Sequence, residues 1–235
     1  MDISHHYTEQ GTGYPLILLH GNGEDGSYFS KQIPFFSQHF HVYAIDTRGH
    51  GQTPRGEKPF TIRQFADDLF AFMERLSIEK AHILGFSDGA NIAMIFAILY
   101  PERVNKLILN GGNLNAKGIK RTFQLPIELG YRIARLFANK NPKAKANAEM
   151  LSLMVNDPNI EVADLAKIGA PTLVIAGTKD LVKEKHSRFI AKHIAQSELV
   201  FIKGGHFIAE KNPNEFNAIV SKFLKEFPTS PIEQH

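Results

Sequence analysis

Residues 81–99 read Ala81-His82-Ile83-Leu84-Gly85-Phe86-Ser87-Asp88-Gly89-Ala90-Asn91-Ile92-Ala93-Met94-Ile95-Phe96-Ala97-Ile98-Leu99. Ala81 to Phe86 has the length of a buried strand, and Gly89 to Leu99 is an apolar run long enough for a buried helix. Only Ser87 and Asp88 separate them, so the chain must turn sharply at the serine. A residue projected from such a turn has strained backbone angles. Gly85 and Gly89, each two positions from Ser87, leave room for strand and helix to approach without colliding side chains. The turn also leaves the Asp88 amide at a helix start, where no intrahelical acceptor exists and the N–H can meet a developing negative charge.

The same alternation continues outward from this unit. Strands are expected at Leu16 to Leu19, His41 to Ile45, Lys106 to Leu109, Thr172 to Ala176 and Glu198 to Ile202. Helices are expected at Tyr28 to Ser37, Thr61 to Leu76, Glu184 to Ala195 and Pro213 to Phe227, with Thr61 and Asn212 placed to cap helix starts. Repeated βα units with short connections predict an α/β fold: a mostly parallel, doubly wound sheet with helices on both faces. Ile3 to Glu9, followed by Gln10-Gly11-Thr12-Gly13-Tyr14, reads as an edge strand with a hairpin into the Leu16 strand. The rhythm breaks between Asn113 and Ile168, where helical patterning runs through Ile127, Tyr131, Ala134 and Ala138 and again over Lys143 to Val155. Residues 1–112 and 169–235 are therefore expected to form one core, and 113–168 a small helical cap over the strand ends.

The chain has 235 residues, of which 43% are hydrophobic and 22% charged, within the range of a globular domain. Its apolar runs fall short of a membrane span and its start is polar, so a cytoplasmic protein without a membrane span is expected. Cysteine is absent, which excludes disulfides and a thiol nucleophile. The net charge of +3 is not gathered into a basic and aromatic stripe, so nucleic-acid binding is not expected. The charge is uneven, however. Residues 113–150 carry net +6, leaving −3 for the remainder. The eleven histidines include His5-His6 and His39-x-His41 without accompanying carboxylates, so no metal is expected.

A serine hydroxyl is a poor nucleophile at neutral pH and needs a base within reach and a group to orient that base. Asp180 follows the Thr172 strand in Ala176-Gly177-Thr178-Lys179-Asp180, and His206 follows the Glu198 strand in Lys203-Gly204-Gly205-His206. Like Ser87, both lie just past a strand C-terminus, where open α/β sheets place their ligands. Asp157 and Asp164 are poorer candidates for the acid because they lie in the expected cap. His20 and His50 read as scaffold residues.

Taken with Ser87, these motifs resemble the α/β-hydrolase superfamily along essentially the whole chain. His20-Gly21-Asn22-Gly23 resembles its oxyanion loop, Asp46-Thr47-Arg48-Gly49-His50-Gly51 its D-x-R-G-x-G turn, and Tyr100-Pro101-Glu102-Arg103-Val104 the segment after the nucleophile helix. The resemblance implies the α/β-hydrolase fold and a Ser87, His206, Asp180 triad. It also implies an oxyanion hole from the amides of Asn22 and Asp88, with Gly21 and Gly23 allowing the turn, and no cofactor. The implied activity is that of a serine hydrolase, with a carboxylesterase acting on small esters or thioesters as the central expectation. Amidase, lactonase, C–C hydrolase and perhydrolase chemistry, or a non-hydrolytic binding or signalling role, are the alternatives. Ser-Asp-Gly resembles the valacyclovir-hydrolase and biphenyl-hydrolase-related branch. In that light the Asp88 side chain either caps its helix or faces the pocket to select a cationic or polar acyl group. The basic cap suggests steering of anionic substrates, including acyl groups on an acyl carrier protein or CoA.

Overall fold

The computed structural model describes residues 2–226. Strand β1 (Tyr7–Gln10), β2 (Tyr14–Leu19), α1 (Ile33–Phe36), β3 (Phe40–Ile45), α2 (Ile62–Arg75), β4 (Ala81–Phe86), α3 (Asp88–Leu99) and β5 (Val104–Asn110) form the first part of the chain. Then come α4 (Arg121–Phe137), α5 (Pro142–Asn156), β6 (Thr172–Gly177), α6 (Glu184–His193), β7 (Ser197–Ile202), α7 (Ile208–Lys211) and α8 (Pro213–Glu226). Every strand read from the sequence is present. The end of the last helix expectation, Phe227, lies outside the described residues.

The seven strands form one sheet in the order β1-β3-β2-β4-β5-β6-β7, parallel except for β1. Side chains alternate along the central strands between two cores, as the period of two requires. Ile17, Leu19, Ile83 and Leu109 pack with α2, α3 and α6 on one face. Leu16, Leu18, Leu84 and Ile108 pack with α1, α7 and α8 on the other. With both faces covered, the central strands β2 to β6 are largely buried and mostly apolar, while the edge strands β1 and β7 are more exposed.

Three expectations need correction. The N-terminal segment makes no hairpin with β2. Instead β1 pairs antiparallel with β3, Tyr7 opposite Ile45 and Gln10 opposite Val42. Both edges of β2 are already taken by β3 and β4, so the only open edge on that side belongs to β3. The Tyr28 to Ser37 helix is also divided, into a 3-10 turn over Gly26–Phe29 and the short α1. Pro34, without an N–H, sits at the start of α1 rather than inside a continuous helix. At the helix starts, Thr61 accepts the Gln64 amide at 3.2 Å as expected. Asn212 instead turns its side chain to Glu215.

Between β5 and β6 the chain leaves the sheet and forms α4 and α5, which pack against each other. Asn141 starts α5 by accepting the amides of Lys143 and Ala144. The excursion is tied down at its root: His186 accepts the Leu114 amide at 3.0 Å, and the Lys120 side chain donates to the Asp180 carbonyl. Among the described residues no helix is long and apolar enough to cross a membrane.

Candidate active site

The β4–α3 turn is built as its glycines require. Ser87 has φ of +53°, in the left-handed region that a non-glycine residue rarely occupies. Its amide is held by the Asn110 carbonyl of the neighbouring strand at 2.8 Å. A Cβ on Gly89 would lie 2.0 Å from the Leu19 carbonyl oxygen, and one on Gly85 would lie 2.2 Å from that of Gly89. Close backbone contact on both sides of the serine thus holds the strained residue in place.

β4, β6 and β7 bring Ser87, Asp180 and His206 to one end of the sheet. The Ser87 hydroxyl donates to His206 Nε2 at 2.9 Å, and His206 Nδ1 donates to Asp180 Oδ1 at 2.7 Å. Asp180 is almost fully buried and accepts the amides of Val182 at 3.0 Å and Gly177 at 3.2 Å. Burial by itself would raise its pKa, but the hydrogen bonds from His206, Val182 and Gly177 hold the carboxyl below its ordinary value. An ionised carboxylate only accepts, so it fixes the imidazole proton on Nδ1 and leaves Nε2 free to receive one. The imidazole is also braced by the Phe86 ring, 4.8 Å away, which itself stacks on Tyr28 at 4.3 Å.

Asn22, on the loop after β2, lies across the pocket from this chain of hydrogen bonds, near the start of α3. Its side chain donates to Asp88 Oδ2 at 3.0 Å and to the Met150 carbonyl of α5 at 2.8 Å. Gly21 lines the pocket beside Ser87, and Gly23 follows with φ of +76°. Asp88 is the first residue of α3, so its amide has no partner within the helix. Its carboxylate does not cap α3. It accepts from Asn22 and, at 3.1 Å, from the Asn91 side chain, and it lines the pocket.

His20 and His50 are scaffold residues. His20 Nδ1 donates to the Gly21 carbonyl at 2.7 Å and its Nε2 accepts the Thr47 amide at 3.0 Å. Burial lowers the His20 pKa to about 4, so the ring is neutral. Asp46 of the D-x-R-G-x-G turn accepts the amides of Gly26 and Gln52 at 2.8 and 2.9 Å, joining two loops beneath the site.

Two titratable pocket residues, Glu24 and Asp157, were not singled out as site members by the sequence. Glu24 lies on the loop after β2 and accepts the Gly21 amide at 3.2 Å. Burial pushes its carboxyl up to about 7. Asp157 follows α5, and burial together with the charge of Asp88 raises it to about 6. Asp164, by contrast, is paired with Lys167 outside the pocket. Glu24 lies only four residues past His20, a spacing that could have marked it, while the sequence offered Asp157 only as a poorer candidate for the acid. The cavity of about 130 Å³ is thus lined by three carboxylates, Glu24, Asp88 and Asp157, and among the described residues by no lysine or arginine. Its apolar wall comes from Phe86, Ile119, Ile127, Met154, Leu181 and Phe207.

Comparison with known proteins gives the family of the chain. A family model described as alpha/beta hydrolase fold matches residues 14–148. The chain is 29% identical to a putative carbamate hydrolase, RutD, of Caulobacter sp. (strain K31), over 89% of this chain and 90% of that one. It is also 29% identical to the human serine hydrolase BPHL, over 94% of this chain and 82% of the relative. The crystal structure of a hydrolase from Pseudomonas aeruginosa PA01 superposes with a TM-score of 0.79 at 25% identity, covering 95% of each chain.

Proposed function

The chain belongs to the α/β-hydrolase family, related to the valacyclovir-hydrolase and biphenyl-hydrolase branch, and we propose that it hydrolyses a small carboxylic ester or thioester through an acyl-enzyme on Ser87. The observation that carries this reading is the unbroken hydrogen-bond chain from Ser87 through His206 to Asp180, opening into the carboxylate-lined cavity. Ser87 Oγ attacks the carbonyl carbon while His206 Nε2 takes the hydroxyl proton, and Asp180 stabilises the imidazolium. The carbonyl oxygen gains the negative charge and receives hydrogen bonds from the amides of Asn22 and Asp88. Collapse of the tetrahedral intermediate expels the alcohol or thiol, which leaves with the proton from His206. Water, deprotonated by the same imidazole, then releases the acid and restores Ser87.

Residues 113–168 act in this reading as a cap, with Gln124, Ile127 and Met154 closing the acyl side of the pocket. The small cavity suits a short acyl group. Its three carboxylates favour a neutral or cationic one over an anionic one, so a free-acid acyl chain is a poor substrate. A CoA or carrier-protein thioester would have to keep its anionic part outside.

Labelling with a fluorophosphonate, combined with an ester panel of varied acyl length and charge, tests the proposal. Wild type is expected to label and to turn over short neutral or cationic esters. Ser87→Ala should lose labelling and about four to six orders of magnitude of activity while remaining folded. A folded wild type that neither labels nor turns over any ester would point instead to a binding or signalling relative.

A further inference from the structure

We propose that the outward face of α4 is a docking surface for an anionic lipid bilayer. Leu125, Leu129, Ile133, Leu136 and Phe137 recur at helical spacing, and at 100° per residue they fall within an arc of about 120°, with Phe123 bordering it. All six are exposed, Leu136 by 78% and Leu129 by 61%. The helix is amphipathic in the opposite sense to an ordinary surface helix, because its strongest apolar stripe faces away from the protein. A contiguous exposed patch of this kind marks an interaction surface.

The charge around the stripe identifies the occupant. Both acidic residues of segment 113–150 are neutralised, Glu128 by Arg121 and Glu149 by Arg55. Lys120 is turned inward to the Asp180 carbonyl. Exposed Arg132 and Arg135 run along one edge of the stripe, while exposed Lys140, Lys143 and Lys145 lie on the adjoining turn and the first turns of α5. Apolar side chains rimmed by cations that have no carboxylate partner among the described residues match a headgroup layer of negative charge above acyl chains. A second copy of the chain docked by the same face would oppose two net-positive segments, so the charge disfavours self-association there. The pocket residues Gln124 and Ile127 project from the other side of α4, so docking leaves the cavity unobstructed. The surface is thus independent of the chemistry assigned to Ser87.

Co-sedimentation of the full chain with vesicles tests this. Vesicles with about 30% phosphatidylglycerol in phosphatidylcholine, in about 0.1 M salt, are expected to bind at least ~10-fold more protein than vesicles of phosphatidylcholine alone. The double variant Leu129→Glu/Leu136→Glu should lose about 10-fold in binding, as should Arg132→Glu/Arg135→Glu, while Ser87→Ala binds as wild type does. Fluorophosphonate labelling of the two charge-altered variants reports that they remain folded. Equal binding to both vesicle types, no binding to either, or binding unaffected by Leu129→Glu/Leu136→Glu would overturn the proposal. So would a concentration-dependent dimer, or capture of an acidic carrier protein, that the leucine variant abolishes while vesicles remain unbound. If wild type binds vesicles but fails to label, the hydrolase reading fails and the docking surface stands.

Discussion

Three carboxylates meet in a cavity no larger than a short acyl group, and their ionisation is set by where the fold puts them. Glu24 is held by the Gly21 amide but is largely withdrawn from water, so its pKa lies near 7 rather than in the ordinary carboxylate range. Asp157, raised to about 6, shares the site with Asp88, whose own carboxyl is raised by burial. The pocket therefore gains negative charge as the pH rises from about 5 to 8. The ratio of kcat/KM for a cationic ester over its neutral isostere should increase about fivefold between pH 6 and 8, the worth of an ion pair of ~1 kcal/mol. Glu24→Gln should remove the part of that rise centred near 7; an identical pH profile in the variant would exclude Glu24 as a selector. The effect on stability has a definite sign. A carboxyl whose folded pKa exceeds its unfolded value contributes stability that is complete below the unfolded pKa and lost as the pH rises through the folded one. Glu24→Gln should accordingly raise Tm relative to wild type by more at pH 8 than at pH 5.

At the scale of elements, the β4–α3 turn shows how local sequence and close packing cooperate. The strand, the sharp turn and the helix were legible because the apolar runs on either side of Ser87 are short and long in the required way. The reason for Gly89 is tertiary, namely the carbonyl of Leu19 on the neighbouring strand. Gly89→Ala is expected to cost about 3 kcal/mol, at the upper end of overpacking effects, measured by denaturant unfolding. A change below ~0.5 kcal/mol would mean the turn is far more compliant than its contacts imply. The α4 helix makes the complementary point. Its helical period was readable through Ile127, Tyr131, Ala134 and Ala138, all of them half-buried. The stronger apolar stripe through Leu129, Ile133 and Leu136 faces outward. Periodicity reports that a helix has two faces but not which of them meets water.

Across the whole molecule, the loops beneath the site are locked by an ion cluster. Arg48 is fully buried and donates to Asp68 of α2 at 2.6 and 2.7 Å and to Asp2 at 2.8 and 2.9 Å. This joins the N-terminal segment, the turn after β3 and α2. Asp68→Ala leaves the buried guanidinium with Asp2 as its remaining carboxylate and should destabilise the fold by about 3 kcal/mol, readable as a lower urea midpoint. The charge of the molecule is also layered, with carboxylates inside the pocket and cations outside on the α4–α5 excursion. From the sequence, the basic segment suggested steering of anionic substrates toward the site, but Lys120 and Arg121 are engaged locally and the cavity itself is acidic. The α/β architecture, and the position of Ser87, Asp180 and His206 just past strand ends, could be read from the chain alone, because each depends on a local signal: an apolar run of defined length ending in a particular polar residue. That β1 joins β3, that Glu24, Asp88 and Asp157 share one cavity, and that the apolar face of α4 is left uncovered could be seen only in the assembled fold. Those outcomes depend on which surfaces remain free after the sheet is assembled, through contacts between residues far apart in the chain.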